Sequence, residues 1–116
     1  MRRTFIELPA FTRLISAEEM NDAQISGVQE DILKGGGATM GGTGGVKKIR
    51  CPDKSGGKSG GWRVLFADYE REEVTVLIWA FPKNRQANLT EAQKKVVRGL
   101  KAQLDREITV RYGRQE

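Results

Sequence analysis

The residues with the greatest capacity for chemistry lie in a basic segment between Lys47 and Arg63. This segment carries six basic side chains and one acidic side chain, Asp53, so its net charge of +5 equals that of the whole chain. Such a cluster of cations is typical of a protein that binds a phosphate backbone. A solvated loop that keeps the chain soluble is the alternative, and charge alone leaves both interpretations open.

A predicted strand through the first half of this segment places Lys48 and Arg50 on one face and Lys47 on the other. Arg63 begins the next predicted strand, where it would lie near them across the pair. Lys83 follows the third predicted strand. We therefore expect four of these cations to converge on one concave sheet surface. Such a group can hold a phosphodiester and stabilise the added negative charge of a five-coordinate phosphorus.

Several other chemistries are excluded by what the chain lacks. It contains no histidine, which excludes serine and cysteine triads and histidine acid–base pairs and argues against a zinc site. Cys51 is the only cysteine, so no internal disulfide forms, and we expect a small apolar role for it at a strand end. The sequence around Lys58 resembles a phosphate-binding loop, but Pro52 stands where its first glycine is required. We expect no metal and no cofactor.

Length and composition bound the class of protein. With 116 residues the chain has room for one domain over residues 1–116. No apolar run approaches the roughly 20 residues of a membrane span, and Glu7 and Pro9 interrupt any signal-peptide core after the basic start. A single cysteine fits a reducing compartment. The sequence thus predicts a cytoplasmic, globular protein.

The predicted elements are a strand at residues 4–8, a helical turn or two at 10–15, and a helix to residue 33 or 34. A capping box at Ser16–Glu19 predicts where this second helix begins. Seven glycines follow within residues 35–45. They suit either a flexible linker or a tightly turning loop. We prefer a loop within one domain, because too few residues precede the stretch to form a separate domain.

Three antiparallel strands are then predicted at residues 46–51, 63–69 and 74–81. A capping box at Thr90 starts a helix to about residue 106, whose basic residues suit a solvated face or RNA binding. Apolar and polar residues alternate over residues 108–112, which predicts a last strand or a tail. The fold class is therefore α+β, a small twisted antiparallel sheet of about four strands with two N-terminal helices and one C-terminal helix.

Four blocks, in order over about residues 4–104, resemble HigB-type toxins of the RelE/ParE superfamily. Residues 42–50 resemble the G-T-G-G-[LV]-[RK]-K-[ILV]-R segment, and residues 57–66 resemble the G-K-S-G-G-x-R-V block with its hydrophobic–aromatic end. Residues 83–90 are similar to the K-N-x-x-x-N-L-[ST] block, and residues 5–11 to the opening strand. The resemblance implies a RelE-like fold, with residues 105–116 as an unassigned C-terminal extension.

The resemblance also implies a function. HigB and RelE toxins enter the ribosomal A site and cut mRNA without a metal, by attack of a ribose 2′-OH on the adjacent phosphate. They are inhibited by a cognate antitoxin, usually a helix-turn-helix protein. By position, the catalytic set would be Lys48, Arg50, Arg63 and Lys83. The set that binds the RNA backbone would be Lys47, Lys54, Lys58 and Arg85.

The chain departs from the family pattern at its aromatic positions. Leu65 and Phe66 stand where family members often have Tyr-Tyr or Tyr-Phe. Phe81 replaces the tyrosine before the Lys-Asn pair, with Pro82 between them. These positions therefore supply no phenol for proton transfer. Two alternatives to the mRNA endonuclease stay open: a toxin-fold protein that acts by binding alone, such as a gyrase inhibitor or a degenerate toxin, and a small RNA-binding domain.

Overall fold

The computed structural model describes residues 3–54 and 61–113. Within them the chain forms five strands and three helices. In chain order these are β1 (Thr4–Glu7), α1 (Pro9–Ser16), α2 (Asp22–Leu33), β2 (Ala38–Thr39), β3 (Lys47–Cys51), β4 (Trp62–Tyr69), β5 (Val74–Pro82) and α3 (Glu91–Tyr112). The predicted α+β class, with two N-terminal helices and one C-terminal helix, is confirmed.

The strands form one sheet in the order β1-β5-β4-β3-β2. The three predicted strands are β3, β4 and β5, and they pair antiparallel as expected. The sheet has five strands rather than about four and is mixed, because β1 lies parallel to β5. Since β5 is almost wholly buried, its second edge needs backbone partners, and β1 supplies them.

Each face of the sheet carries its own apolar core. Helices α1 and α2 cover one face, where Phe11 and Val28 pack with Phe66. Helix α3 covers the other face, where Val97 and Leu104 pack with Leu65. Because neighbouring residues of a strand point to opposite faces, the side chains of β3 and β4 divide between these two layers.

The predicted start of α2 at Ser16 is wrong. Ser16 ends α1, and the chain then turns through Glu18, which has a φ of +60°. The capping box of α2 is formed instead by Asn21 and Gln24, whose side chains each accept the other's backbone N–H. Met20, 1% exposed, is buried just before this cap and fixes where the chain enters the helix.

We expect Asn21→Ala to lower the free energy of unfolding by about 1 kcal/mol, because it leaves an end N–H of α2 without its acceptor. Ser16→Ala is the matched control and should change stability by less than about 0.5 kcal/mol, as an exposed substitution outside a cap does. Urea unfolding of the two variants measures the difference. Equal losses for both variants would contradict the observed helix start.

The C-terminal part of the chain extends α3. The expected strand or tail at residues 108–112 is instead helical, because Ile108 continues the buried stripe of Val97, Leu100 and Leu104 at helical spacing. The predicted cap at Thr90 is confirmed: its side chain accepts from the Gln93 backbone N–H. No helix in residues 3–54 and 61–113 has the length and apolar character needed to cross a membrane.

Candidate functional site

Strand register brings three of the predicted cations together. Arg50 of β3 lies directly opposite Arg63 of β4, and Lys48 lies opposite Leu65. Leu65 belongs to the core beneath α3, so Lys48, Arg50 and Arg63 share the α3 face of the sheet. Ile49 lies on the opposite face, in the core beneath α2. The predicted alternation along this strand is confirmed.

A shallow concavity lies beside the start of the short strand β2, where β3 becomes the edge of the sheet. Its volume is about 300 Å³, and its lining includes all three cations together with Gly37 and Ala38. We call it the cation site. Gly37 has a φ of +103°, and a Cβ there would come within 2.7 Å of the Phe66 ring, so only glycine allows the chain this approach.

Two arginines, Arg50 and Arg63, lie in register at this point of the sheet. Like charges directly opposite each other destabilise a strand pair, yet this sheet places two guanidinium-bearing residues in register. Local choices that conflict with stability are typical of functional positions. A phosphate suits such a pair, because a guanidinium can donate two parallel hydrogen bonds to it.

The fourth predicted catalytic residue, Lys83, lies near this site but does not line it. Its backbone N–H donates to the Gly61 carbonyl at 3.0 Å, which holds the turn after β5 beside the start of β4. The Lys83 side chain is exposed, and so is that of Arg85 in the same turn. The structure thus brings Lys83 to the end of the sheet that carries Arg63, outside the concavity itself.

Two of the predicted RNA-binding residues, Lys47 and Lys54, lie away from the cation site. Lys47 lies opposite Phe66 and therefore takes the α2 face of the sheet. The Lys54 ammonium donates to the Glu18 carbonyl between α1 and α2. Lys58 lies outside the described residues.

A second concavity adjoins the cation site and was missed by sequence reasoning. It measures about 390 Å³ and lies between the loop after β2, the loop before α3 and the first turns of α3. Its lining includes Met40, Lys48, Phe81, Asn88, Leu89 and Lys94. We call it the Asn88 pocket. The capping box at Thr90 fixes where α3 begins and hence where Lys94 lies. It is the feature of the sequence from which the position of Lys94 could have been predicted.

The glycine-rich stretch is a structured loop, as preferred above. The Thr43 hydroxyl is buried and donates to the Met40 carbonyl at 2.7 Å, while it accepts from the Val46 N–H at 3.1 Å. Arg98 of α3 donates to the Gly42 carbonyl at 3.2 Å. These bonds hold the loop against α3 and so fix one wall of the Asn88 pocket.

Neither concavity is lined by a tyrosine. Tyr69 lies at the other end of β4, where its hydroxyl donates to Asp105 at 2.7 Å and Lys101 lies over its ring. Burial, followed by this bond to Asp105, raises the pKa of Tyr69 far above its usual value, so the phenol stays protonated. Tyr69 therefore ties β4 to α3 and has no place in proton transfer at the cation site.

Cys51 is buried at the end of β3, as expected. Burial, and then the charge of Asp31, raise the pKa of its thiol to about 11. In the described ranges, 3–54 and 61–113, no three His, Cys, Asp or Glu side chains gather as metal ligands would. The ionisable side chains that line the cation site are Lys48, Arg50 and Arg63, all of them basic.

We expect Cys51 to resist iodoacetamide in the native protein at pH 8 and to react rapidly in urea. A thiol with a raised pKa carries little thiolate at that pH, and the thiolate is the reactive form. Mass spectrometry of timed samples measures the two rates. Reaction of the native protein at the rate of the unfolded one would contradict both the burial and the raised pKa.

A comparison with protein-family models gives a match over most of the chain. Residues 3–109 match the family described as the RelE toxin of the RelE/RelB toxin–antitoxin system. The matched range runs from just before β1 into the last turn of α3. It therefore includes every described residue of the cation site and of the Asn88 pocket, together with residues 105–109 of the segment assigned above as an extension.

Proposed function

Because the chain belongs to the RelE toxin family of RelE/RelB toxin–antitoxin systems, we propose that it is an mRNA endonuclease that acts in the ribosomal A site and so stops translation. The observation that carries the proposal is the in-register Arg50–Arg63 pair with Lys48 on the same face. The four sequence blocks favour the HigB branch of this family. Members of this family pair with an antitoxin. The HigB resemblance favours a helix-turn-helix antitoxin, and the single cysteine favours a cytoplasmic location.

In the proposed reaction, a ribose 2′-oxygen attacks the adjacent phosphorus and the bond to the 5′-oxygen of the next nucleotide breaks. The products are a 2′,3′-cyclic phosphate and a 5′-hydroxyl end. Arg50 and Arg63 hold the nonbridging oxygens, whose negative charge grows as phosphorus becomes five-coordinate. Because arginine stays protonated, we assign transfer of the 2′-OH proton to Lys48, the remaining basic side chain in the lining. The departing 5′-oxygen takes a proton from solvent.

Lys83 has a supporting role in this proposal. Its side chain is exposed beside the start of β4, where it is free to reach an RNA phosphate that flanks the cation site. Arg85, in the same turn, is placed to do likewise. Lys47 and Lys54, which lie toward the α2 layer, would contact more distant phosphates or ribosomal RNA.

The proposal is tested by inducing the chain in bacteria and pulse-labelling protein and DNA synthesis. A translation-blocking nuclease predicts that incorporation of amino acids falls first and that mRNA fragments accumulate. If thymidine incorporation falls first, the chain acts on DNA metabolism, as a gyrase inhibitor would. If protein synthesis stops while mRNA stays intact, the chain acts by binding alone.

A further inference from the structure

Strand β2 and the loop after it form a hairpin with β3, and we call residues 38–48 the β2 hairpin. Its residues line both concavities: Ala38 lies in the wall of the cation site, and Thr39 and Met40 lie in the wall of the Asn88 pocket. Ala38 is also directly opposite Lys48, the side chain to which we assign proton transfer. The geometry of the proposed reaction therefore depends on how firmly this hairpin is held.

Strand β2 does little to hold the hairpin by itself. It has two residues, both exposed, and each makes one pairing with β3. By contrast, all five residues of β3 pair with β4. A short ribbon of two strands is marginally stable in water when it has no buried face. The β2 hairpin therefore needs support from its loop.

Thr43 supplies this support from inside the loop. It is 0% exposed, although its neighbours Gly42 and Gly44 are exposed. Its hydroxyl donates to the Met40 carbonyl at 2.7 Å and accepts from the Val46 N–H at 3.1 Å. The Met40 N–H also donates to the Val46 carbonyl at 2.9 Å. One side-chain hydroxyl and one backbone bond thus join the two ends of the loop.

Val46 gives the loop a fixed point in the core. It is 0% exposed and packs in the apolar core beneath α3. Thr43 connects Val46 to Met40, which directly follows β2. Arg98 also holds the loop from outside, but its bond to the Gly42 carbonyl is exposed. A buried bond matters more, because its loss leaves a polar group that water does not reach. Thr43 is therefore the link through which the core holds β2.

We propose that Thr43 is a positioning residue: its hydroxyl holds the β2 hairpin against β3 and so keeps Lys48 and the wall at Ala38 in place. Because Thr43 is buried, it acts through these residues and not by contact with RNA. Its role in cleavage rests on the proposed function, whereas its hold on the hairpin does not. Misplacement of a reacting group by about 1 Å slows a reaction by roughly a hundredfold.

The test compares Thr43→Val, which removes the hydroxyl and keeps the shape of the side chain, with Thr43→Ser, which keeps the hydroxyl. Hydrogen exchange of the full chain, followed by NMR, measures opening of the hairpin at the Met40 amide. In Thr43→Val we expect this amide to exchange roughly tenfold faster or more, because the Val46 N–H loses its buried partner. The Leu8 amide, bonded to Leu77 at the opposite edge of the sheet, should exchange as in the unmodified chain.

Thr43→Val should also slow single-turnover cleavage on programmed ribosomes by roughly tenfold to a hundredfold, as a misplaced reacting group does. Thr43→Ser should restore both the cleavage rate and the exchange rate of the Met40 amide. A side chain that only adds to overall stability would leave the cleavage rate of the folded protein unchanged.

Thr75→Val is the matched control. Thr75 is also 0% exposed, and its hydroxyl donates to Asp68 at 2.6 Å and accepts from Arg3 at 3.1 Å. It lies near the start of β5, whereas Arg63 pairs near the end of that strand. Its substitution should lower the melting temperature while the folded protein still cuts mRNA at the normal rate.

Three results would each overturn the proposal: unchanged exchange of the Met40 amide in Thr43→Val, an open hairpin that still cuts at the normal rate, or an equal loss of cleavage in Thr75→Val. Equally faster exchange of the Leu8 amide in Thr43→Val would overturn it too, because the hydroxyl would then stabilise the whole fold. An unmodified chain that never cuts mRNA would refute the proposed function, and exchange at Met40 would still decide whether Thr43 holds the hairpin.

Discussion

Replacing Arg63 with alanine is expected to lower the rate of mRNA cleavage by roughly 10²–10³-fold, the usual effect of removing one donor that stabilises developing negative charge. Arg63 lines the cation site and lies opposite Arg50. Without it, one guanidinium must stabilise the five-coordinate phosphorus alone. Single-turnover cleavage on programmed ribosomes measures the chemical step directly.

The same variant should fold at least as well as the unmodified chain. Arg63 is half-buried at the second residue of β4, and its replacement removes one of two like charges that lie directly opposite each other. We therefore expect an unchanged or slightly higher melting temperature. Arg13→Ala is the control, because Arg13 is exposed on α1 across the sheet from the site. Full activity of Arg63→Ala, or an equal loss in Arg13→Ala, would remove Arg63 from the proposed mechanism.

Cleavage of naked mRNA is expected to be slower than cleavage on the ribosome by about a thousandfold or more. In-line attack requires the 2′-oxygen, the phosphorus and the leaving oxygen to be aligned, and correct positioning contributes roughly 7–11 kcal/mol to such reactions. The cation site is a shallow concavity at a sheet edge, with three cations and little else to orient a flexible strand. The proposed mechanism therefore requires the ribosome to supply much of the alignment.

Binding to naked RNA should nevertheless be detectable and should weaken steeply with salt, because neutralised phosphates release counterions. The control for the rate comparison is one mRNA, incubated with the chain in the presence and absence of translating ribosomes, with cut sites mapped in both. Equal rates at the same positions would show that the chain orients RNA by itself and would contradict the ribosome-dependent mechanism.

Local sequence patterns were sufficient for much of the site. Alternation along β3 placed Lys48 and Arg50 on one face, and the short connection to β4 implied an antiparallel neighbour that begins with Arg63. The capping box at Thr90 is formed as predicted, because its two partners lie three residues apart and need no tertiary contact. Features that depend on residues close in sequence can therefore be predicted from the sequence.

Features that depend on residues distant in sequence could not be predicted. Ser16 and Glu19 have the pattern of a capping box, yet burial of Met20 places the cap at Asn21 instead. The parallel pairing of β1 joins Thr4 to Val74, a contact that no local pattern specifies. Lys94 lines the Asn88 pocket, whose opposite wall is the loop that Arg98 holds at Gly42. Tertiary packing decided each of these.

The central claim is that the cation site promotes attack of a ribose 2′-OH on the neighbouring phosphate within the A-site codon. The most direct measurement uses ribosomes stalled with an empty A site on an mRNA whose A-site nucleotides are ribose or, one at a time, 2′-deoxyribose. We expect one deoxy substitution to abolish the main cut, and the all-ribose product to carry a 2′,3′-cyclic phosphate. Cleavage that persists with every deoxy substitution, or product ends that carry a 5′-phosphate, would contradict the account.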